Sequence, residues 1–200
     1  MLVVENIQKQ YEGVNLFKPI NFALNKAESL SISGPNGTGK TTLLLMIMGY
    51  TKPSKGSIFW SVNNQKMPVL FSDIAFAGVQ MNLFEDLSVA DHFSYHFKFR
   101  APIVSGYNTI LKAYFEPYMM KKQIKQLSAG WYNRVKLLTA LLTQSRILLL
   151  DEPFSNLDNQ GIELLSKAIQ ELKKDRLMLI AGNREEELSL CKQSLMLERN

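Results

Sequence analysis

The sequence predicts an α/β fold, a mainly parallel sheet with helices on both faces. Three observations carry this. Short β-type segments alternate with helical ones along the chain. The runs ILLL (Ile147–Leu150) and LMLIA (Leu177–Ala181) are apolar throughout, as strands buried on both faces are. A Gly-rich turn, GPNGTGK, follows one strand and opens a helix.

The elements follow in order. LVVENI, PINFAL and SLSIS are β-type, with Leu30 and Ile32 alternating in the last. After the Gly-rich turn, TTLLLMIMG is helical, Thr51–Gly56 reads as a loop, and GSIFW and DIAFAGV read as strands. From about Leu83 to Ser128 the character changes. In FEDLSVADHFSYHFKFR, Phe93, Tyr95, Phe97 and Phe99 alternate as in a strand, while Val89, Phe93 and Phe97 recur as on a helix. Helix is the favoured reading, with Asp86 or Ser88 as N-cap and the aromatic stripe as core packing. A second helix fits TILKAYFE up to Pro117. SAGWYNRVKLLTALLTQ then reads as a helix capped by Ser128, GIELLSKAIQELKK as an amphipathic helix, and REEELSLC as a short helix. The glutamates of that last helix suit its positive N-terminal end.

Two hundred residues suit one domain, or one domain with a subdomain. The single cysteine, Cys191, excludes an internal disulfide and a cysteine zinc cluster, and suits a reducing cytosol. The start MLVVENIQKQ has no basic leader, and no window approaches 18 uncharged apolar residues, so neither a signal peptide nor a membrane span is expected. The net charge of +5 fits phosphate ligands, an anionic surface or a plain solvated basic surface. Its densest cluster, Lys121–Lys125, lacks the pattern of a nucleic-acid module, and no nucleic-acid partner is expected.

Three motifs carry chemistry. Gly34, Pro35, Asn36, Gly37, Thr38, Gly39, Lys40 and Thr41 match the phosphate-binding pattern G-x-x-x-x-G-K-[ST], with Thr42 next in the helix. Glycines let backbone N–H groups curve around an anion, and the helix behind aims its positive end at phosphates. Lys40 can reach β- and γ-phosphates, and the Thr41 hydroxyl can ligate Mg²⁺. In ILLLDEP, a buried strand delivers Asp151 and Glu152 to its C-terminal edge, where open α/β sheets bind ligands. Asp151 suits a Mg²⁺ role and Glu152 is placed to activate or orient water. In QLSAGW, Ser128 opens a helix whose entrance Ala129 and Gly130 leave clear, which is an anion site or a simple N-cap.

With these three in order, nearly the whole chain resembles the ATP-binding subunit of ABC (ATP-binding cassette) transporters. LSAGW at 127–131 is similar to the signature LSGGQ, and SNLD at 155–158, ending in Asp158, to the D-loop. Gln80 stands where the Q-loop glutamine senses Mg²⁺ and the membrane partner. Tyr11 stands where an aromatic residue stacks on adenine, or is a tyrosine at a strand end. The resemblance implies a P-loop NTPase core (1–82 and 129–200) with a small N-terminal antiparallel β part and a helical subdomain at about 83–128 that faces the membrane subunits. It implies ATP and Mg²⁺ as ligands, and a homodimer or heterodimer with another cassette. In that dimer Ser128 and Gly130 close on ATP held by the other subunit. It also implies an integral-membrane permease as partner, and a place on the cytoplasmic face of the cell membrane.

The departures from the pattern are Ala129 for a glycine, Trp131 for glutamine, and Asn183 for the switch histidine. Asparagine can donate a hydrogen bond as neutral histidine can, but carries no proton at neutral pH. With Glu152 intact, a slow ATPase is the expectation. The short chain, LSAG and AGVQ are similar to haem-exporter (cytochrome c maturation) subunits. The competing readings are a catalytically weak regulatory cassette with an active partner, and a soluble ABC-type ATPase.

Overall fold

The computed structural model describes residues 1–199. Its elements, in chain order, are β1 (Leu2–Gln8), β2 (Gln10–Tyr11), β3 (Val14–Asn15), β4 (Ile20–Leu24), β5 (Ser29–Ser33), α1 (Lys40–Ile47), β6 (Lys55–Val62), β7 (Gln65–Met67) and β8 (Ile74–Ala77). There follow α2 (Val89–Phe99), α3 (Tyr107–Tyr114), α4 (Pro117–Lys121), α5 (Ala129–Leu142), β9 (Ile147–Asp151), α6 (Asn159–Leu172), β10 (Leu177–Ala181), α7 (Glu185–Leu188) and β11 (Gln193–Met196).

Five strands form a parallel sheet in the order β11-β5-β10-β9-β8, and four form a second sheet, β4-β1-β6-β7, whose pairs are antiparallel. Period-two alternation explains why β9 is apolar throughout. Ile147 and Leu149 join α1 and the antiparallel sheet in one core, while Leu148 and Leu150 join α5 and α6 in another. Both sets are fully buried, each side chain contributing about 1.5–3 kcal/mol of transfer free energy.

The segment with two competing periodicities is helical. Ser88, rather than Asp86, caps α2, accepting from Asp91 N. Asp86 instead pairs with Lys125 at 2.8 Å. Its aromatic stripe divides: Phe93 is buried and Phe97 packs on the core, but Tyr95 and Phe99 are exposed and meet edge to face. Pro117 does not end the second helix; it is the first residue of α4, where its missing N–H is no loss. The amphipathic helix α6 begins two residues earlier than the pattern suggests because Asp158 caps it, accepting from Gly161 N at 2.8 Å. Lys55 and Gly56, read as loop, belong to β6.

Arg176, directly before β10, has a role of its own. It is 5% exposed and, among the described residues, has no carboxylate partner. Its guanidinium donates to the carbonyls of Ala140, Leu141 and Thr143 at the end of α5 and of Leu172 and Lys173 at the end of α6. Those are the acceptors that a helix C-terminus leaves unsatisfied. Burial lowers its pKa to about 10. One cation therefore closes two helices. Arg176→Met should lower the unfolding free energy by about 3 kcal/mol, measured by urea denaturation, with nucleotide affinity intact in the folded protein. A loss within error of zero would contradict the clamp.

Candidate nucleotide site

The loop between β5 and α1 builds the site. Gly34, Gly37 and Gly39 take φ of +143°, +78° and +97°, values that side chains disfavour, and their backbone wraps a concavity at the start of α1. Lys40 lies inside it, 6% exposed, its Nζ donating to Gly34 O at 2.7 Å and Pro35 O at 3.4 Å. The Thr38 hydroxyl ties the loop to itself by donating to Pro35 O at 2.8 Å.

The parallel ladder of β9 brings Asp151 to this loop. The Thr41 hydroxyl donates to Asp151 Oδ2 at 2.8 Å, while Asp151 Oδ1 is buried with no hydrogen-bond partner. An orphaned carboxylate oxygen beside a threonine hydroxyl fits a hard divalent cation, which takes oxygen ligands. Burial raises the Asp151 pKa to about 6, with Glu152 and Glu187 adding to the rise and the Thr41 hydrogen bond and Lys40 opposing it.

Glu152 follows with φ +48°, a strained value for a non-glycine residue, held by Glu152 N donating to Ala181 O at 2.8 Å. Its side chain is exposed and lines a cavity of about 300 Å³ with Tyr11, Asn36, Lys40, Thr41 and Thr42. Tyr11 thus stands at the mouth of the phosphate loop, 54% exposed, with Lys9 over its ring. Asn183 is brought to the same loop. Its Oδ1 accepts from Gly34 N and its Nδ2 donates to Asn36 Oδ1, both at 3.3 Å. The Gly34 N–H fixes which amide atom is the oxygen.

Four predicted residues lie elsewhere. Gln80 is exposed and lines a different cavity with Tyr50, His96 and Arg100, not the one at the phosphate loop. Ser128, Gly130 and Asp158 line a third cavity of about 650 Å³ with Trp131 and Arg134. Ser128 accepts from Trp131 N at 3.5 Å as a helix cap. Gly130 has a second reason to be glycine, since a Cβ there would lie 2.7 Å from Asn156 O. The Trp131 ring packs under the Arg134 guanidinium at 4.1 Å and beside Phe115.

A family profile described as ABC transporter matches residues 17–155. The chain belongs to the ABC transporter family. Among curated relatives, the spermidine/putrescine import ATP-binding protein PotA of Spiroplasma citri is 31% identical over 98% of this chain and 59% of its own length. The molybdate/tungstate import ATP-binding protein WtpC of Thermococcus kodakarensis is 33% identical over 88% of this chain and 54% of its own. The chain thus spans somewhat over half the length of these relatives. Among solved structures, a putative ABC transporter ATP-binding protein from Pyrococcus furiosus is 28% identical, with a TM-score of 0.82 over 98% of this chain and 96% of that one. A dimeric ATP-binding cassette in a post-hydrolysis state with ADP and Pi shares the fold, with 24% identity and a TM-score of 0.83 over 99% of this chain and 94% of that one. Both curated relatives are import subunits rather than haem exporters.

Sequence reading missed Glu187. It treats the three glutamates of α7 alike as suiting the positive helix end, yet Glu187 is 1% exposed and accepts from Phe154 N and Arg184 N. Three identical residues in a row carry no signal for which one turns inward.

The Asp151 carboxyl sits at about 6 in the folded chain against an ordinary 3.8. Folding thus favours the neutral form. Its contribution is fully present below pH 3.8 and lost as pH rises through 6, an effect of at most about 3 kcal/mol. In nucleotide-free and cation-free buffer, Asp151→Asn should flatten the pH dependence of stability between pH 4 and 7. Denaturation curves with equal slopes for both proteins would refute the assignment.

Proposed function

We propose that this chain is the ATP-binding and hydrolysing motor subunit of an ABC transporter. It docks on a separate integral-membrane permease and drives transport by ATP-dependent dimer closure at the cytoplasmic face of the cell membrane. The observation that carries the reading is the convergence of Lys40, Thr41, Asp151, Glu152 and Asn183 on one phosphate-shaped loop. Membership of the ABC transporter family and the import ATP-binding relatives support it. They also favour an importer over the haem-exporter branch. Among the described residues, no helix is long and apolar enough to cross a membrane, which suits a peripheral subunit.

Each residue then has a task. The loop N–H groups and Lys40 hold the β- and γ-phosphates, the ammonium moving from the loop carbonyls to phosphate oxygens. Thr41 and Asp151 would hold Mg²⁺, which neutralises developing phosphate charge when bound. Glu152 orients water for attack on the γ-phosphorus and takes its proton as the bond to the ADP oxygen breaks. Tyr11 receives the adenine ring. Asn183 holds a polar contact at the loop and cannot carry a proton, which slows turnover. Gln80 reports on the membrane partner, and the helical segment at about 83–128 meets that partner.

The second cassette is what the family resemblance implies, and the cavity geometry is compatible with it. The cavity at the phosphate loop and the one at Ser128, Gly130 and Asp158 share no lining residue. On this reading one chain presents two different half-sites, and a second chain facing it completes both. Homodimer and heterodimer both satisfy this geometry.

Glu152→Gln should bind ATP as the wild type does, abolish turnover, and accumulate a dimer at saturating Mg·ATP, read by light scattering. Lys40→Ala should lose ATP binding, and Asn183→His should hydrolyse faster than wild type. Wild-type hydrolysis equal to the Glu152→Gln background, with ATP bound, would replace this reading with that of a regulatory cassette. Activity that rises with nucleic acid and falls steeply with salt would replace it with the soluble ATPase.

A further inference from the structure

Glu187 is a carboxylate buried to 1% exposure within the site's wall. Burying a charge is expensive unless hydrogen bonds compensate it. Both of its oxygens are used, on different segments. Oε1 accepts from Phe154 N at 3.1 Å, two residues beyond Glu152, and Oε2 accepts from Arg184 N at 3.3 Å, one residue beyond Asn183. Capping the short α7 needs only the second bond. The first reaches a loop 33 residues earlier in the chain. Gly182 makes room for this, since a Cβ there would lie 2.0 Å from Glu187 Oε2. The neighbouring Glu185 and Glu186 are exposed and make neither contact.

We propose that Glu187 is a positioning residue for hydrolysis. Its carboxylate ties the loop carrying Glu152 to the turn carrying Asn183, so that both groups hold one spacing over the phosphate loop. This rests on the reading of the chain as an ATPase. Beyond the strand ladder and the Glu152 N to Ala181 O bond, this side chain adds the tie between the loop after the group that orients water and the turn of the group that contacts the phosphate loop at Gly34 and Asn36. A shift of about 1 Å at such a distance costs up to roughly 100-fold in rate.

The test is Glu187→Gln in the full chain. The carboxamide has the same size but only one acceptor, so either Phe154 N–H or Arg184 N–H is left facing a donor. Expected are unchanged ATP affinity, a kcat roughly 10- to 100-fold lower, and faster hydrogen exchange at the Phe154 or Arg184 amide. Combined with Asn183→Ala, the loss should be smaller than the product of the two single losses, because both act on one unit. An unchanged kcat, a multiplicative double mutant, or a fall in affinity matching the fall in kcat would overturn the proposal. Gly182→Ala displaces the same carboxylate from outside and serves if Glu187→Gln does not fold. It should lower kcat at retained affinity, and an unaffected kcat overturns the proposal as well. If wild type binds ATP without turning over, the ATPase reading itself has failed. The exchange measurement still decides the tie, because amide protection at Phe154 and Arg184 that survives Glu187→Gln excludes it.

Discussion

The hydrogen bond from the Thr41 hydroxyl to Asp151 Oδ2, 2.8 Å long, joins segments 110 residues apart in the chain. Thr41 belongs to the first turn of α1 and Asp151 ends β9, so the bond fixes the phosphate loop against the sheet edge. Its geometry depends on the parallel ladder. Asp151 pairs in register with Ala181 on β10, and Gly182 N then donates to Ile32 O on β5. The ends of three strands are thereby locked side by side, with Gly34, Glu152 and Asn183 following directly from them. Burial of alternate β9 residues in two separate cores holds that ladder from both faces.

This arrangement concentrates like charge. Asp151, Glu152 and Glu187 approach one another, with Lys40 acting on Asp151 and Arg184 on Glu187, and burial raises the pKa of both Asp151 and Glu187. A site built this way is unfavourable for the empty protein and favourable for a phosphate ligand accompanied by a hard cation. The positive φ of Glu152 adds backbone strain in the same place. Such strain persists only where the surroundings over-determine it. Here they do, through Glu152 N on Ala181 O, Ser155 N on Glu152 O, and Phe154 N on Glu187.

Legibility in the sequence followed from how local the cause was. The phosphate loop was readable because each residue type answers a local demand of the backbone. The strands β9 and β10 were readable because burial on both faces leaves no polar position. The two-residue strands β2 and β3, the three-residue β7 and the half-exposed β11 went unread because strands of that length show too few positions to display a period. The helix α2 gave two periods because Tyr95 and Phe99 place large apolar rings on its exposed side. Arg176 and Glu187 were illegible for a different reason. Each satisfies backbone groups of segments distant in sequence, and nothing near either residue marks that partner. Gly130 was legible as an open helix entrance, but its contact with the Asn156 carbonyl was not.

The helix α5 links the cavity at Ser128 to the loop that carries Glu152. It begins at Ser128 and then touches a different segment with nearly every side chain of its first two turns. Asn133 donates to Pro153 O at 2.9 Å and Ser155 O at 3.0 Å, directly after Glu152. Lys136 donates to Gly78 O at 3.0 Å, two residues before Gln80, and the Tyr132 hydroxyl accepts from Leu83 N at 3.2 Å. Arg134 reaches Tyr114 O on α3. The loop after Glu152 is therefore gripped from one side by α5 and from the other by Glu187. A displacement of the Ser128 end of α5 is passed by these bonds to the loop after Glu152 and to the segment around Gln80. Packed interiors transmit such shifts rather than damp them. These side-chain to backbone bonds connect the two cavities, and the short motifs read from the sequence do not themselves describe them.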